Sequence, residues 1–364
     1  MQKVIKSLDF IINWSIVLLP FSIAISSAPA NVFTGLLVAA FLAKQIILKK
    51  PLFSGTPINI PLLAFFVVTC LSLVNSVNYR DSIKGGILRL LQYILVFFIV
   101  LQEVKDKKHL IRIIFSIFAG LMLISFDGIW QVATGKDFIR GYLPVLNIGL
   151  RRATASFKDS NLMGIYLSAF APLAFGMAIY YFKSKKAIPI FLVSFISLIG
   201  IALTYSRPTL LATYIVLFFL GVASKKKTLI IILVATAFIA PFILPSSVKR
   251  WAKEMDYNPV RFMCNDDRIA VYRNSLNMIK AHPFLGVGAN NYMKQYKEYK
   301  DKVEYRNIIT LDYMYAHNNF IHMAAELGLL GLLIFIWVLY RLFKESSRIY
   351  RSLSDGYLKM LALA

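Results

Sequence analysis

A histidine at the boundary between a polar segment and an apolar run is the residue best suited to acid–base chemistry in this sequence. His317 is followed by Asn318 and Asn319, where the chain returns to apolar residues. An imidazole can take up a proton near neutral pH, and enzymes often use it as a general base. The start of the following helix would also favour an anion nearby. An anchor at a membrane interface is the alternative interpretation of His317.

Two arginines are the main candidates for holding an anion. Arg207 follows an apolar run and directly precedes Pro208, and an arginine this close to a membrane core is costly unless it is paired or solvated. Arg268 lies in the first turn of a predicted loop helix. Each has a simpler interpretation, since Arg207 could reach lipid headgroups and Arg268 could pair with Asp266 or Asp267.

Other polar residues are secondary candidates for the same site. The planar fork of an arginine suits diphosphate oxygens, which favours Arg152 as a second anion contact. His322 and Glu326 are spaced i,i+4 and can pair on one helix face, where a carboxylate within a membrane is costly. A structural hydrogen bond is the alternative for that pair. The secondary candidates are Arg152, Asn161, Arg273, Asn318, His322 and Glu326.

Motifs for metals, nucleotides and redox chemistry are missing from the sequence. There is no HExxH, CxxC, DxD-type acidic pair or Walker motif, and the predicted cytoplasmic loops are too short for a nucleotide-binding domain. We therefore expect no cofactor and no metal. Any reaction would use an activated donor that is already in the membrane.

The elements that must position these residues are membrane helices. Of 364 residues, 58% are hydrophobic and 16% are charged, whereas soluble domains carry about 25% charged residues. Apolar runs near the ~20 residues needed to cross a bilayer recur along the chain. The sequence therefore predicts an all-α, polytopic integral membrane protein with about ten transmembrane helices. The predicted spans are 10–28, 31–48, 58–75, 86–102, 110–132, 161–182, 187–204, 208–223, 228–244 and 317–343.

The distribution of lysine and arginine predicts the orientation. The net charge of +23 does not indicate nucleic-acid binding, because most basic residues form short clusters in alternate loops, as orientation signals do. The N-terminus is therefore predicted to be cytoplasmic, and two longer segments, 133–160 and 245–316, are predicted to face outside. We expect 1–244 to hold nine spans, 245–316 to form a large outer loop, 317–343 to be the tenth span, and 344–364 to be a cytoplasmic tail with the start of a truncated further span.

The large outer loop is predicted to be partly helical. Asn265-Asp266-Asp267 can cap a helix whose apolar stripe would be Ile269, Tyr272, Leu276 and Ile279. A Pro-Gly turn over 282–288 follows, and Asn290 is a candidate cap for a second helix to about Tyr305.

The order of these motifs resembles the O-antigen ligase and O-antigen polymerase superfamily. The resemblance covers roughly 150–343, through Arg152 to Asn161, Ser206-Arg207, Arg268 and its helix, His282-Pro283-Phe284-Leu285-Gly286-Val287-Gly288, His317-Asn318-Asn319 and Glu326-Leu327-Gly328-Leu329-Leu330-Gly331. No single motif is specific, whereas their order and spacing together are. Members of this superfamily usually have about twelve spans.

The resemblance implies a glycosyltransferase of the bacterial inner membrane with its active site on the periplasmic face. The donor would be a glycan linked to undecaprenyl diphosphate, and the acceptor either a sugar hydroxyl of lipid A-core or another lipid-linked glycan. Arg207 and Arg268 would grip the diphosphate, and His317 would activate the acceptor hydroxyl, without metal or ATP. A polymerase of the same superfamily and a transporter of lipid-linked glycan are the alternatives to a ligase.

Overall fold

The computed structural model describes residues 1–147, 149–254, 256–258, 266–301 and 315–364. Helices account for most of these residues, and a two-stranded hairpin is the one sheet described. The helices are α1 Gln2–Ile25, α2 Ser27–Leu48, α3 Asn59–Leu71, α4 Leu88–Glu103, α5 Lys107–Thr134, α6 Ser160–Tyr180, α7 Ala187–Leu203, α8 Arg207–Ala223, α9 Lys227–Ile243, α10 Ser246–Glu254, α11 Asp266–Ala281, α12 Asn319–Ser352 and α13 Gly356–Leu363. Shorter helical turns cover Ser72–Asn75, Tyr79–Asp81, Ser82–Ile87, Tyr292–Gln295 and Tyr296–Tyr299, and the strands are β1 Val145–Asn147 and β2 Leu150–Arg152.

All ten predicted spans coincide with apolar helices, and the all-α polytopic fold is confirmed. In the described part of the chain, six helices are long and apolar enough to cross a membrane. The other four predicted spans fall on apolar helices shorter than 18 residues. Many large apolar side chains on these helices face outward, such as Phe115, Ile188 and Leu333, as expected of surfaces that contact lipid.

The chain divides into two compact units. The first comprises Met1–Lys50, Val100–Tyr257 and Ile349–Ala364, and the second comprises Pro51–Ile99 and Asn258–Arg348. The first unit therefore holds the α1–α2 hairpin and α5 to α10, whereas the second holds α3, α11 and most of α12.

The core of the first unit forms where α5, α6 and α7 pack together. Leu121, Ile124, Met163, Leu167 and Ile201 are almost fully buried there. Small residues let the helices approach one another closely, for example Gly200 against Ser125, as is usual for helices in membranes.

The predicted outer segment 133–160 carries the β-hairpin of the first unit. Strands β1 and β2 pair antiparallel, with Val145 opposite Arg152. The segment ends at Asp159, whose side chain accepts a hydrogen bond from the Asn161 N–H at 2.6 Å and so caps α6.

Two predictions for the large outer loop are corrected. The second loop helix does not extend as predicted, because Tyr292–Gln295 gives way to a 3₁₀ turn and Lys300 is already extended. Asn290 is not its cap: it has φ of 57°, and its side chain donates to the Asp81 carbonyl at 3.2 Å. Residues 302–305 lie outside the described ranges.

The first loop helix is confirmed as α11, but its predicted apolar stripe is only partly buried: Ile279 packs against the core of the second unit. Ile269 and Leu276 are 37% and 48% exposed. The buried face instead carries Val271, Asn274, Ser275 and Met278, together with Ala270. The predicted cap residue Asn265 lies outside the described residues.

Candidate functional site

A break in α12 brings two of the sequence motifs together in the second unit. Gly328 has φ of 73° and ψ of −178° inside the helix. In a regular helix the Leu329 N–H would bond to the Ala325 carbonyl, but here it donates to the Pro283 carbonyl at 2.7 Å. The released carbonyls of Ala325 and Glu326 accept from Val287 N–H at 2.9 Å and Gly288 N–H at 3.0 Å. The turn 283–288 therefore replaces the lost helical hydrogen bonds.

Two glycines make this close exchange possible. A Cβ on Gly328 would overlap the backbone of Phe284, and a Cβ on Gly286 would overlap the backbone of Glu326. Both glycines also have positive φ, which L side chains adopt at a cost. Gly328 thus lets the backbone of the turn 283–288 approach α12, and Gly286 lets the backbone of α12 approach the turn.

Glu326 is buried at this break and has defined partners. Its Oε1 accepts a hydrogen bond from the Tyr292 N–H at 3.1 Å and lies 3.5 Å from Nε2 of His322. The His322 ring packs on Tyr292 with ring centroids 4.8 Å apart. The predicted i,i+4 pair of His322 and Glu326 is therefore confirmed, and it ties α12 to the outer loop.

Sequence reasoning missed the segment 72–86, which supports the same turn. The Ser72 Oγ accepts from the Ala289 N–H at 3.1 Å, and the Ser82 Oγ donates to the Ala289 carbonyl at 2.6 Å. The Asn75 amide donates to the Gly286 carbonyl at 2.8 Å, and the Asn291 amide donates to Ser76 Oγ at 2.9 Å. These partners lie more than 200 positions apart, so no local pattern connects them.

Two tyrosines form the core of the outer loop. Tyr292 and Tyr296 are fully buried, and their hydroxyls bond to Ser275 at 2.7 Å and to the Asn274 amide at 2.8 Å. Burial raises the pKa of Tyr292 to about 12, because its phenolate would lose solvation there. The polar residues on the buried face of α11 therefore satisfy tyrosine hydroxyls that have no access to water.

His317 stands directly before α12 in an unusual backbone conformation. Its φ is 51°, a left-handed value that costs a non-glycine residue on the order of 1–3 kcal/mol and recurs at functional sites. The next residue, Asn318, caps α12, since its Oδ1 accepts from the N–H groups of Phe320 at 2.9 Å and Ile321 at 3.2 Å. His317 itself is exposed. An exposed imidazole thus sits at the positive end of a helix.

The core of the second unit connects the start of α12 with the start of α11. Ala316, next to His317, and Val271 are fully buried members of one apolar cluster. Arg268 lies three positions before Val271 on α11, so the two residues are neighbours on the helix surface. Arg273 is exposed on the other side of α11.

In the first unit, Arg207 is the first residue of a helix. Helix α7 ends at Leu203, Tyr205 reverses the chain with φ of 46°, and Ser206 precedes α8. Pro208 is pre-organised for this first turn. Arg207 therefore combines its own charge with the positive end of the α8 dipole, an arrangement that favours an anion.

Arg152 and Asn161 lie close to the same turn. The Arg152 Nε donates to the Thr204 carbonyl at 2.8 Å, and Nη2 donates to Asn161 Oδ1 at 3.3 Å. The Ala153 N–H also donates to the Leu203 carbonyl at 2.9 Å. The structure thus brings Arg152 and Asn161 together, beside the turn that carries Arg207.

Two polar residues of α5 hold the segment that bears Arg152, and sequence reasoning missed both. Gln131 Oε1 accepts from the Thr154 N–H at 2.7 Å and the Ala155 N–H at 3.0 Å. Asp127 Oδ1 accepts from the Phe138 N–H at 2.9 Å. Their i,i+4 spacing in an apolar span was the available signal, because polar residues within a membrane helix usually have a structural or functional role.

The candidate residues are distributed over the two units. Arg152, Asn161 and Arg207 belong to the first, and Arg268, Arg273, His317, Asn318, His322 and Glu326 belong to the second. The convergence of Arg207 and Arg268 on His317 stays a prediction. Among the described residues, no group of three or more His, Cys, Asp or Glu side chains is placed to hold a metal ion.

The helices and these polar turns define a polytopic membrane protein with basic side chains near helix N-termini. A family model described as O-antigen ligase matches residues 192–336. These residues belong to the O-antigen ligase and polymerase superfamily, which confirms the resemblance. The matched stretch contains Arg207, Arg268, His317 and Glu326, whereas Arg152 and Asn161 precede it. A search of curated proteins found no match.

The match over 192–336 supports a membrane enzyme of the ligase or polymerase type, a class that acts on a lipid-linked glycan and an acceptor.

Proposed function

We propose that the protein is an O-antigen ligase-type glycosyltransferase of the bacterial inner membrane. It moves a glycan from undecaprenyl diphosphate to a sugar hydroxyl of lipid A-core at the periplasmic face. The observation that carries this proposal is the family match over a stretch that presents His317 and Arg207 at helix N-termini.

The proposed reaction is a single displacement with inversion at the anomeric carbon. The imidazole of His317 accepts the proton of the acceptor hydroxyl, and the oxygen forms a bond to the anomeric carbon. The bond between that carbon and the diphosphate oxygen breaks, and undecaprenyl diphosphate leaves with the electron pair. No metal and no ATP enter this scheme.

Arg207 and Arg268 are proposed to bind the diphosphate. Negative charge develops on the leaving group as the sugar departs, and fixed cations stabilise this charge most effectively in a site that excludes water. The α8 N-terminus adds N–H groups and a dipole of the same sign beside Arg207. The surplus of lysine and arginine in the outer loop also suits polyanionic substrates.

Product analysis in a strain that lacks the gene tests the ligase assignment. A missing ligase leaves a full-length polymer attached to the lipid carrier and an undecorated lipid A-core. A missing polymerase instead leaves single repeat units attached to the core, and that outcome would replace the ligase proposal with the polymerase alternative.

A further inference from the structure

A polar pocket of the first unit lies at the start of α5. The other end of this helix holds the segment that bears Arg152. The pocket has a volume of about 400 Å³ and is formed by the ends of α1, α2, α4 and α5. Its lining consists of Asp9, Asn13, Lys44, Glu103, Lys105, Asp106, Lys108, His109 and Arg112. The charge pattern of the loops predicts that this face is cytoplasmic.

The acidic residues of the pocket are already engaged by protein groups. Lys44 Nζ lies 2.7 Å from Asp9 Oδ1 and 2.8 Å from Glu103 Oε2. Asp106 caps α5 by accepting from the His109 N–H at 2.6 Å. All three carboxylates of the lining therefore have a partner in the protein, and the lining holds four lysine or arginine side chains against these three carboxylates.

Three cations of the lining are not balanced in this way. Lys105, Lys108 and Arg112 are exposed, and in the described part of the chain none of them forms an ion pair with these carboxylates. Lys108 and Arg112 are spaced i,i+4 on α5, so they point to the same side. The rim of the pocket is therefore cationic.

His109 supplies a second, independent observation. The residue is 6% exposed, and its Nε2 is buried without a hydrogen-bond partner among the described residues. Buried polar atoms normally have a partner in the protein, in water or in a ligand. The His109 imidazole lines the same pocket as these three cations, and an imidazole nitrogen can donate a hydrogen bond to an anion.

We propose that this pocket binds a phosphate group, with His109, Lys108 and Arg112 as its contacts. Basic pockets between membrane helices on the cytoplasmic side are suited to anionic lipid headgroups. The phosphate of such a headgroup and free inorganic phosphate share the chemistry that these side chains recognise. The proposal does not depend on the glycan-transfer function.

Lipid and phosphate titrations of the purified full chain in detergent test this proposal. Thermal unfolding is followed against added phosphatidylglycerol, phosphatidylcholine or inorganic phosphate, since a ligand that binds only the folded state raises the unfolding midpoint. We expect saturable stabilisation by phosphatidylglycerol. Competition by millimolar inorganic phosphate would identify a free-phosphate site, whereas no competition would identify a headgroup site.

A charge-matched pair of double variants separates the pocket from general attraction to a basic surface. Lys108→Gln with Arg112→Gln removes two exposed charges from the pocket rim. Lys183→Gln with Lys185→Gln removes two exposed charges from the connection between α6 and α7, which the pocket does not include. We expect the first pair to weaken the apparent Kd about tenfold or more and the second to change it less than about twofold.

His109→Phe tests the buried nitrogen, because it keeps a ring and removes the donor. We expect it to weaken binding about as much as loss of the two rim charges. Equal weakening by both double variants, unchanged binding in His109→Phe, or no response to phosphatidylglycerol and inorganic phosphate would each overturn the proposal.

Discussion

At the scale of single residues, the contacts of the buried Glu326 carboxylate explain why an acidic residue occurs in the largely apolar part of α12 that precedes Arg341. Its Oε1 provides the acceptor for the Tyr292 N–H, which is buried in the core of the outer loop. The same carboxylate faces His322 at 3.5 Å.

Substitution of Glu326 distinguishes these two contacts. Glu326→Ala leaves the Tyr292 N–H without an acceptor and should cost about 1–3 kcal/mol, whereas Glu326→Gln keeps an oxygen and should lose less. The unfolding midpoint in detergent measures the difference. Equal losses in both variants would show that the charge opposite His322, rather than the amide contact, is the stabilising feature.

Gly328 allows a second prediction at this scale. Gly328→Ala introduces a Cβ at positive φ that overlaps Phe284, so we expect destabilisation by more than ~1 kcal/mol and faster proteolysis of the turn 283–288. Gly35→Ala is the matched control, since no atom lies within 4 Å of its new Cβ. If Gly328→Ala is as stable as Gly35→Ala, the account of the helix break is wrong.

At the scale of elements, α5 holds segment 133–160, which carries Arg152. Gln131 accepts two backbone N–H groups and donates to the Thr154 hydroxyl at 2.9 Å and the Tyr142 carbonyl at 3.0 Å. One side chain thereby joins the segment to the helix on both sides of the β-hairpin.

Gln131→Ala should therefore loosen this segment. Hydrogen exchange at the amides of Thr154 and Ala155 should accelerate by about tenfold or more, because both lose a buried acceptor. Thr134→Ala is the control, since the exposed Thr134 hydroxyl bonds to the carbonyls of Trp130 at 2.9 Å and Lys136 at 3.1 Å and to neither of these two amides. Unchanged protection of both amides in Gln131→Ala would contradict this role.

Helix α11 shows where sequence patterns at the element scale reach their limit. Its helical character was predictable, but its buried face was not, because Asn274 and Ser275 are buried to satisfy Tyr296 and Tyr292. In a sequence pattern, a polar residue is expected to be exposed. Only the structure shows the buried tyrosine hydroxyls that make the burial of these two residues favourable.

At the scale of the whole molecule, apolar runs predicted the membrane helices, because a helix that crosses a bilayer needs a continuous run of apolar residues that face lipid or neighbouring helices. The order of motifs predicted the family, and residues 192–336 confirm it. The contacts between 72–82 and 286–291 were not predictable, since the Asn75 and Gly286 partners are 211 positions apart. The exchange of hydrogen bonds at Gly328 likewise depends on a distant turn.

Transfer assayed with purified components is the decisive test of the proposed glycosyltransferase activity and of the role of His317. The full chain in detergent is given a glycan linked to undecaprenyl diphosphate and lipid A-core, and the rate of glycan attachment to the core is measured. His282→Gln serves as the control, because His282 contacts the Tyr299 hydroxyl at 2.9 Å and has a structural role. We expect transfer by the wild-type chain and by His282→Gln, and a loss of about 10²–10⁴-fold in His317→Ala, the usual contribution of a general base. Transfer at the wild-type rate by folded His317→Ala would contradict the account.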